Sequence, residues 1–208
     1  MADCLPTSAV WYLWADDPFP AAYCASVLSP VVTTLSDFPF DLVWLGVSKH
    51  QQTLGQNNDA WIKNGADMAK KFDAVTPCDS HGYLDSIEAR PYSKLGQAGY
   101  LQIEACQFSE GKTLADLMAA DMEWSAWMDE SGMPGGIYRW LPSIGSPRAD
   151  ETDFFNVYIT ESLADRGKAH DMMIKGGFPV REAMYGDVAT CDNPRIWHAQ
   201  PVGGKAAG

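Results

Sequence analysis

Two helix-start motifs, each set between strand-forming segments, constrain the fold of this chain most. Thr113 precedes Asp116 by three residues and Ser162 precedes Asp165 by three, a spacing at which the two side chains cap a helix N-terminus. Segments rich in Val, Ile, Tyr, Phe and Trp lie before, between and after these two helices. The second half of the chain is therefore predicted to run strand, helix, strand, strand, helix, strand, the connectivity of a split β-α-β unit.

The same signals divide the rest of the chain into elements. Seven segments, bounded by Gly, Pro, Asp and Ser, are predicted strands: residues 9–14, 40–48, 82–90, 99–108, 136–143, 153–160 and 194–200. Four segments are predicted helices: residues 20–37 with a break at Pro30, a helix that follows Asn58, residues 113–131 and residues 162–177. Glycines at 132 and at 176–177 are the expected ends of the last two helices.

Short internal matches indicate a duplication. Residues 44–45 match 140–141, residues 66–68 match 170–172, and residues 89–91 match 199–201, in the same order along the chain. A chain of 208 residues is long enough for two small units that share an interface. We expect units at residues 1–91 and 99–201, a connection at residues 92–98 and a flexible tail at residues 202–208.

This order of elements resembles the dimeric α/β barrel superfamily in a tandem form, over about residues 8–201. The resemblance is one of architecture. It implies an α+β fold in which two ferredoxin-like units place antiparallel sheets around a barrel-like body, with the helices outside. Members of that superfamily include cofactor-independent oxygenases, haem-degrading and haem-using enzymes, small-molecule cyclases and isomerases, and proteins without a known activity.

The charge of the chain excludes several partner classes. Lys and Arg number 15 against 27 Asp and Glu, a net charge of −12 that repels nucleic acid and anionic membrane surfaces. With 46% hydrophobic and 20% charged residues, the composition is that of a globular protein. No window approaches the ~18 consecutive apolar residues of a membrane span. We expect a small-molecule partner and leave a homodimer open.

The cysteines and the N-terminus predict a cytoplasmic protein. Five cysteines are widely scattered, with no CxxC pair and no zinc-like spacing, so reduced thiols and no metal site are expected. The first residues contain no basic stretch followed by an apolar run, and we therefore expect no secretory signal.

Alternating residues of the predicted strands separate an apolar face from a polar one. In residues 99–108, Leu101 and Ile103 are expected to pack under helices, which turns Glu104 towards the barrel interior. The expected lining residues are Glu104, Asn156, Tyr158 and His198. Strand register decides whether Trp197 replaces His198, and whether Arg139 or the pair Tyr138 and Trp140 also lines the interior. The alternative is a polar face turned to solvent, which is common on antiparallel sheets.

A lining of this kind suits acid–base chemistry on an aromatic or carbonyl-bearing molecule. His198 is the candidate general acid or base, and Glu104 would orient it or take the proton itself. Tyr158 and Arg139 are candidates for stabilising an oxyanion or enolate. We expect a cofactor-independent oxygenase, cyclase or isomerase. The first of these enzyme classes would make the protein an oxidoreductase.

The duplication and the aromatic residues add binding candidates. Aligning residues 89–91 with 199–201 places Glu88 opposite His198, so both are expected in the barrel, with solvent exposure at the strand ends as the alternative. Trp124 lies three residues before Trp127 on the predicted long helix, where core packing or a pocket wall would explain the pair. Asn156 and Trp140 complete the expected substrate-binding set.

Two further functions stay open. His170 lies on the helix that begins after Ser162, at an inward or boundary position from which it could ligate haem iron; an exposed histidine is the alternative. Haem-using members of the superfamily place an axial histidine on a helix of the C-terminal unit. The other option is a non-catalytic ligand-binding or stress-related domain, in which side chains would fill the interior.

Overall fold

The computed structural model describes residues 23–34, 42–75, 81–145 and 151–205, and it has an α+β fold built on an antiparallel sheet. The strands are β1 (Tyr23–Val32), β2 (Val43–Val47), β3 (Tyr83–Arg90), β4 (Gly99–Phe108), β5 (Gly136–Ile144), β6 (Phe154–Thr160), β7 (Ala189–Cys191) and β8 (Arg195–Lys205). The helices are α1 (Gln51–Asn64), α2 (Ala66–Asp73), α3 (Leu114–Ser131), α4 (Leu163–Met172) and α5 (Phe178–Tyr185). A π-helical segment, Met173–Gly177, joins α4 to α5.

The strand order is β2-β1-β8-β4-β6-β5-β3, and β7 pairs with β4 beside β8. Every pair of neighbouring strands is antiparallel. The predicted order of the main elements of the second half is confirmed, since β4, α3, β5, β6, α4–α5 and β8 occur in this order, and the short strand β7, which was not predicted, lies between α5 and β8. Within the sheet, the four long strands of that half lie side by side in the order β8, β4, β6, β5. Numbered by their position along the chain, this order is fourth, first, third, second.

The sheet curls into a half-barrel around one apolar face. Leu28 of β1 and Tyr138 of β5 belong to one buried cluster, although β8, β4 and β6 separate their strands in the sheet. Val157 and Trp197, which are 0% and 3% exposed, lie in the same cluster. This face is called the inner face below, and large side chains fill it.

Helices α3, α4 and α5 cover the opposite, outer face of the second half. Trp124 and Met128 of α3 pack with Ile137 of β5 and Met173 of the π segment. Both predicted caps form, since Asp116 accepts a hydrogen bond from the Thr113 backbone N–H and Ser162 accepts one from the Asp165 backbone N–H. The long helix α3 ends as predicted at a glycine with φ 70°, Gly132.

Helices α1 and α2 contact both edge strands of the sheet, β2 and β3. Phe72 of α2 packs edge-on against Trp44 of β2, with 5.6 Å between ring centroids. At the other edge, Asn58 of α1 donates a hydrogen bond to the Tyr83 hydroxyl of β3. One helical segment therefore contacts both ends of the curled sheet.

The prediction of a helix at residues 20–37 is wrong, because its described part contains strand β1. Pairing with β2 and β8, which lie far away in sequence, decides this segment. Pro30 fits because pairing with β2 has ended at Leu28, so its missing N–H interrupts only one ladder, next to a bulge.

Three other predicted elements have a boundary that differs from the structure by five residues or more. The helix expected after Asn58 begins at Gln51 and is interrupted at Gly65. The helix expected to end at residues 176–177 continues through the π segment into α5. Strand β8 extends past the predicted end at residue 200 to Lys205, and the predicted strand at residues 9–14 lies outside the described residues.

Candidate functional site

Three of the predicted site residues meet in one buried polar cluster on the outer face. Arg139 on β5, Asn156 on β6 and Glu104 on β4 are register neighbours across three adjacent strands. Arg139 donates a hydrogen bond to the Asn156 side-chain oxygen, and Asn156 Nδ2 donates to Glu104 Oε2 at 2.7 Å. Arg139 and Glu104 are each only 4% exposed. The cluster is therefore fully built into the packed fold.

The covering helices complete this cluster. Arg139 Nε donates to Asp121 Oδ2 of α3 at 3.1 Å, and the Tyr185 hydroxyl of α5 donates to Asp121 Oδ1 at 2.7 Å. Burial acts to lower the pKa of Arg139, but the Asp121 carboxylate outweighs it and holds that pKa above its ordinary value. Burial raises the pKa of the Tyr185 hydroxyl. Arg139 and Asp121 are therefore both charged, and their ion pair connects β5 of the sheet to α3.

The expected orientation of the sheet faces is wrong. Leu101 and Ile103, expected under helices, pack in the inner cluster, whereas Glu104 lies under α3 and α5. A period of two fixes which residues share a face but not which face is enclosed. Charged side chains occupy the outer face because helices supply their partners there, while the described residues of the inner face are mainly apolar.

The structure does not bring His198 and Glu104 together. His198 is the register partner of Tyr100, and the two rings lie 5.1 Å apart. Glu104 is four residues further along β4, which is about 13 Å at the usual rise of a strand. The two side chains share the outer face, but direct proton exchange between them is excluded by this separation.

The expectation that Glu88 joins His198 in one site is also wrong. Glu88 is the register partner of Tyr138 and accepts a hydrogen bond from its hydroxyl at 3.0 Å. Tyr138 belongs to the inner face, whereas His198 lies on the outer face. Glu88 is itself exposed. These two residues therefore lie on opposite sides of the sheet.

The remaining predicted residues have separate environments. The Tyr158 hydroxyl donates to the Pro134 carbonyl, and burial raises its pKa, so this side chain is a neutral anchor. Trp140 packs against the inner cluster. His170, expected at an inward or boundary position, is exposed, with its ring 6.1 Å from that of Phe178.

An open groove, which the sequence does not predict as a site, lies between α3 and the π segment. Its volume is about 330 Å³. One wall is the half-buried Trp127 indole, which stacks on the buried Trp124 indole at 4.7 Å and 15°. The other lining residues are Ser131, Met172, Lys175, Gly176 and Gly177. Trp124 therefore supports the groove from behind without lining it.

Two glycines allow the π segment to form the second wall. Gly176 has φ 137°, a backbone conformation that other residues rarely adopt. A Cβ at Gly177 would lie 3.0 Å from Trp127 Cη2 and 2.8 Å from Met173 Sδ. Two sequence signals fall on this groove: the Trp124–Trp127 pair, for which a pocket wall is one of the two explanations, and the glycine pair inside a helical pattern, which predicts a helix end.

Lys175 gives the groove a positive charge at its edge. Its side chain is exposed, and within the described ranges it has no ion-pair partner. A flat indole wall beside a free ammonium can hold an aromatic ring and an anionic group at once.

A disulfide contradicts the prediction that the thiols are reduced. Cys106 on β4 is bonded to its register partner Cys191 on β7. Cys24 is disulfide-bonded as well. The pairing could not be predicted because residues 106 and 191 are separated by 85 positions and meet only through the sheet.

Comparisons with known proteins add no family assignment. No protein-family model matches the chain, and no curated protein and no solved structure matches it. None of the described helices is long and apolar enough to cross a membrane.

Proposed function

We propose that this protein binds a small aromatic carboxylate in the groove between α3 and the π segment. The observation that carries the proposal is the Trp127 indole, held flat by Trp124, beside a lysine without an ion-pair partner among the described residues. The aromatic ring of the ligand stacks on Trp127, and its carboxylate pairs with Lys175. A volume of about 330 Å³ suits one or two fused rings.

Calorimetric titration with 2-naphthoate and with neutral 2-naphthol tests this proposal. Lys175→Gln is expected to weaken naphthoate binding about tenfold and to leave naphthol binding unchanged, because only the carboxylate uses the ammonium. Trp127→Leu is expected to weaken both ligands. The matched control is Lys168→Gln, an exposed lysine on α4 that does not line the groove. Equal effects of the two lysine substitutions would refute the proposal.

Acid–base catalysis is the second candidate function, and one observation favours it. The buried cluster reaches the surface at Arg181, whose side chain is 39% exposed and lies 3.5 Å from Glu104 Oε2. In this proposal Glu104 takes a substrate proton, and Arg139 and Asn156 fix its carboxylate. A screen of aromatic acids and quinols for turnover, repeated with Glu104→Gln, tests it. Turnover that survives this substitution at an unchanged melting temperature sinks the idea.

A haem-binding function with His170 as axial ligand is less well supported. The described contacts of His170 are with Phe178, and His170 does not line the groove beside it. An axial histidine needs a pocket that encloses the macrocycle. Haemin titration followed by visible absorption decides this point, since a His170→Ala protein with the same spectrum as the wild type would remove the assignment.

For the architecture we propose two tandem ferredoxin-like units, with a connection near residues 92–98. The fourth-first-third-second order of β8, β4, β6 and β5 supports such a unit in the second half. The contacts of β1 with β8 and of β3 with β5 support a barrel shared by both halves. A cytoplasmic location and a homodimer stay predictions, and disulfides favour an oxidising compartment.

A further inference from the structure

Two sulfurs and one carboxylate meet where β4 pairs with β7. Glu104 and Cys106 are two residues apart on β4 and share the outer face, and Cys191 lies opposite Cys106. One ligand atom from each of the three residues lies within 4.8 Å of the others. We propose that Cys106, Cys191 and Glu104 form a redox-gated metal site, closed as the disulfide and able to hold Zn²⁺ when reduced. It is independent of the aromatic-carboxylate groove.

The carboxylate of this site is held in place by its neighbours. Asn156 Nδ2 donates to Glu104 Oε2 at 2.7 Å, and Gln102 Nε2 donates to Glu104 Oε1 at 2.9 Å. Such outer partners orient a metal ligand before the ion arrives. Glu104 and Cys106 are 4% and 1% exposed, so two of the three ligand residues are already packed and largely shielded from water before a metal ion binds.

The chemistry and the charge of the three groups match zinc. Thiolate and carboxylate are both common zinc ligands, and three protein ligands with an open fourth position typify sites that keep a water. On a tetrahedral ion the ligand atoms lie about 3.6–3.8 Å apart, so small side-chain movements suffice. A site of two thiolates, one carboxylate and Zn²⁺ has a net charge of −1. The Arg181 guanidinium lies 3.5 Å from the Glu104 carboxylate and offsets this charge.

The gate is the disulfide itself. Cys191 is the more exposed of the two cysteines, so a thiolate of a dithiol reductant attacks its Sγ. The bond between Cys191 and Cys106 breaks, and Cys106 leaves as a thiolate. The second thiol of the reductant then attacks its own mixed-disulfide sulfur, which releases the Cys191 thiolate and closes the reductant's disulfide. Two electrons and two protons pass to the protein in all, and zinc displaces both protons from the thiols.

Metal titration of the full chain in both redox states tests the proposal. Reduction uses a phosphine, which becomes its oxide with oxygen from water, because a dithiol would compete for the metal. The reduced protein is expected to take up one equivalent of Co²⁺ with a thiolate-to-cobalt charge-transfer band, and Zn²⁺ is expected to remove that band. The oxidised protein is expected to show none.

Variants separate this site from other thiols. Reduced Cys191→Ser is expected to lose the band, and reduced Glu104→Gln, which keeps both thiols, to bind about tenfold more weakly. Reduced Cys24→Ser is the control and is expected to keep the band. A wild type that binds no cobalt, or equal binding by the wild type and Cys191→Ser, overturns the site. Should Cys191→Ser fail to fold by circular dichroism, unchanged affinity in Glu104→Gln overturns it instead.

Discussion

At the scale of single residues, the buried pair Arg139–Asp121 is the feature whose disruption has the clearest expected cost. Both side chains are about 5% exposed, and their hydrogen bonds extend to Asn156 and Tyr185. The attraction between two buried opposite charges offsets the free-energy cost of removing them from water only while both charges are present. Removal of one partner leaves a charge in a place that water does not reach.

Asp121→Ala is therefore expected to lower the free energy of unfolding by about 3–5 kcal/mol, because it leaves the Arg139 guanidinium unpaired. Urea denaturation measures the change. The matched control is Asp129→Ala on the same helix, whose carboxylate pairs with Arg90 but is 70% exposed, and which is expected to cost less than about 1 kcal/mol. Equal losses in the two variants would show that the buried pair has no special weight.

At the scale of elements, the π segment is the part of the second half that departs most from regular structure. It depends on Gly176, whose φ is 137° and around which an added Cβ would meet nothing within 4 Å. Gly167, in the interior of α4, also has open space but ordinary helical geometry. The two positions have equally open space for a Cβ and differ in backbone conformation.

Gly176→Ala is expected to destabilise the protein by about 1–3 kcal/mol through backbone strain. Gly167→Ala is expected to stabilise it by about 0.5–1 kcal/mol, since alanine loses less backbone freedom in a helix. Chemical denaturation of both variants measures the contrast. If the two substitutions change the free energy of unfolding in the same direction, Gly176 is not required for the backbone conformation of the π segment.

Elements with local signals could be predicted from the sequence, and elements fixed by distant pairing could not. Both caps, Ser162 with Asp165 and Thr113 with Asp116, form within three residues, and the bounds of β4 are those predicted. The sequence predicts a helix where strand β1 lies, because the strands that pair with it, β2 and β8, are remote in sequence.

The candidate site shows the same limit. Glu104 and Asn156 could be placed on the polar faces of their strands from the period of two, whereas the choice between Arg139 and Trp140 stayed open and the helices that cover this face could not be assigned. The groove was missed because Trp127 and Lys175 belong to different helical segments that meet only in the folded chain. The disulfide was missed for the same reason.

At the scale of the whole molecule, buried tyrosines set an alkaline limit. Burial, and then the hydrogen bond to the Glu88 carboxylate, raises the pKa of Tyr138 to about 12. Burial also raises the pKa of Tyr158 and of Tyr185. A pKa that is higher in the folded state stabilises the fold fully below the unfolded value, about 10, and the gain is lost as pH rises towards 12.

The free energy of unfolding is accordingly expected to fall between about pH 10 and pH 12 as the unfolded tyrosines ionise. Urea denaturation at several pH values measures this slope. Tyr138→Phe is expected to make the slope shallower, because it removes a hydroxyl whose pKa is about 12 in the folded state. A slope that is the same in the wild type and Tyr138→Phe would contradict the assignment.

The central claim is that an aromatic carboxylate binds between α3 and the π segment. Intermolecular nuclear Overhauser effects between bound 2-naphthoate and the protein test it most directly, because they report which protons lie against the ligand. We expect contacts from the naphthyl protons to the Trp127 indole and the Met172 methyl group. Contacts to Tyr100 and His198 instead, or none at saturating ligand, would contradict the account.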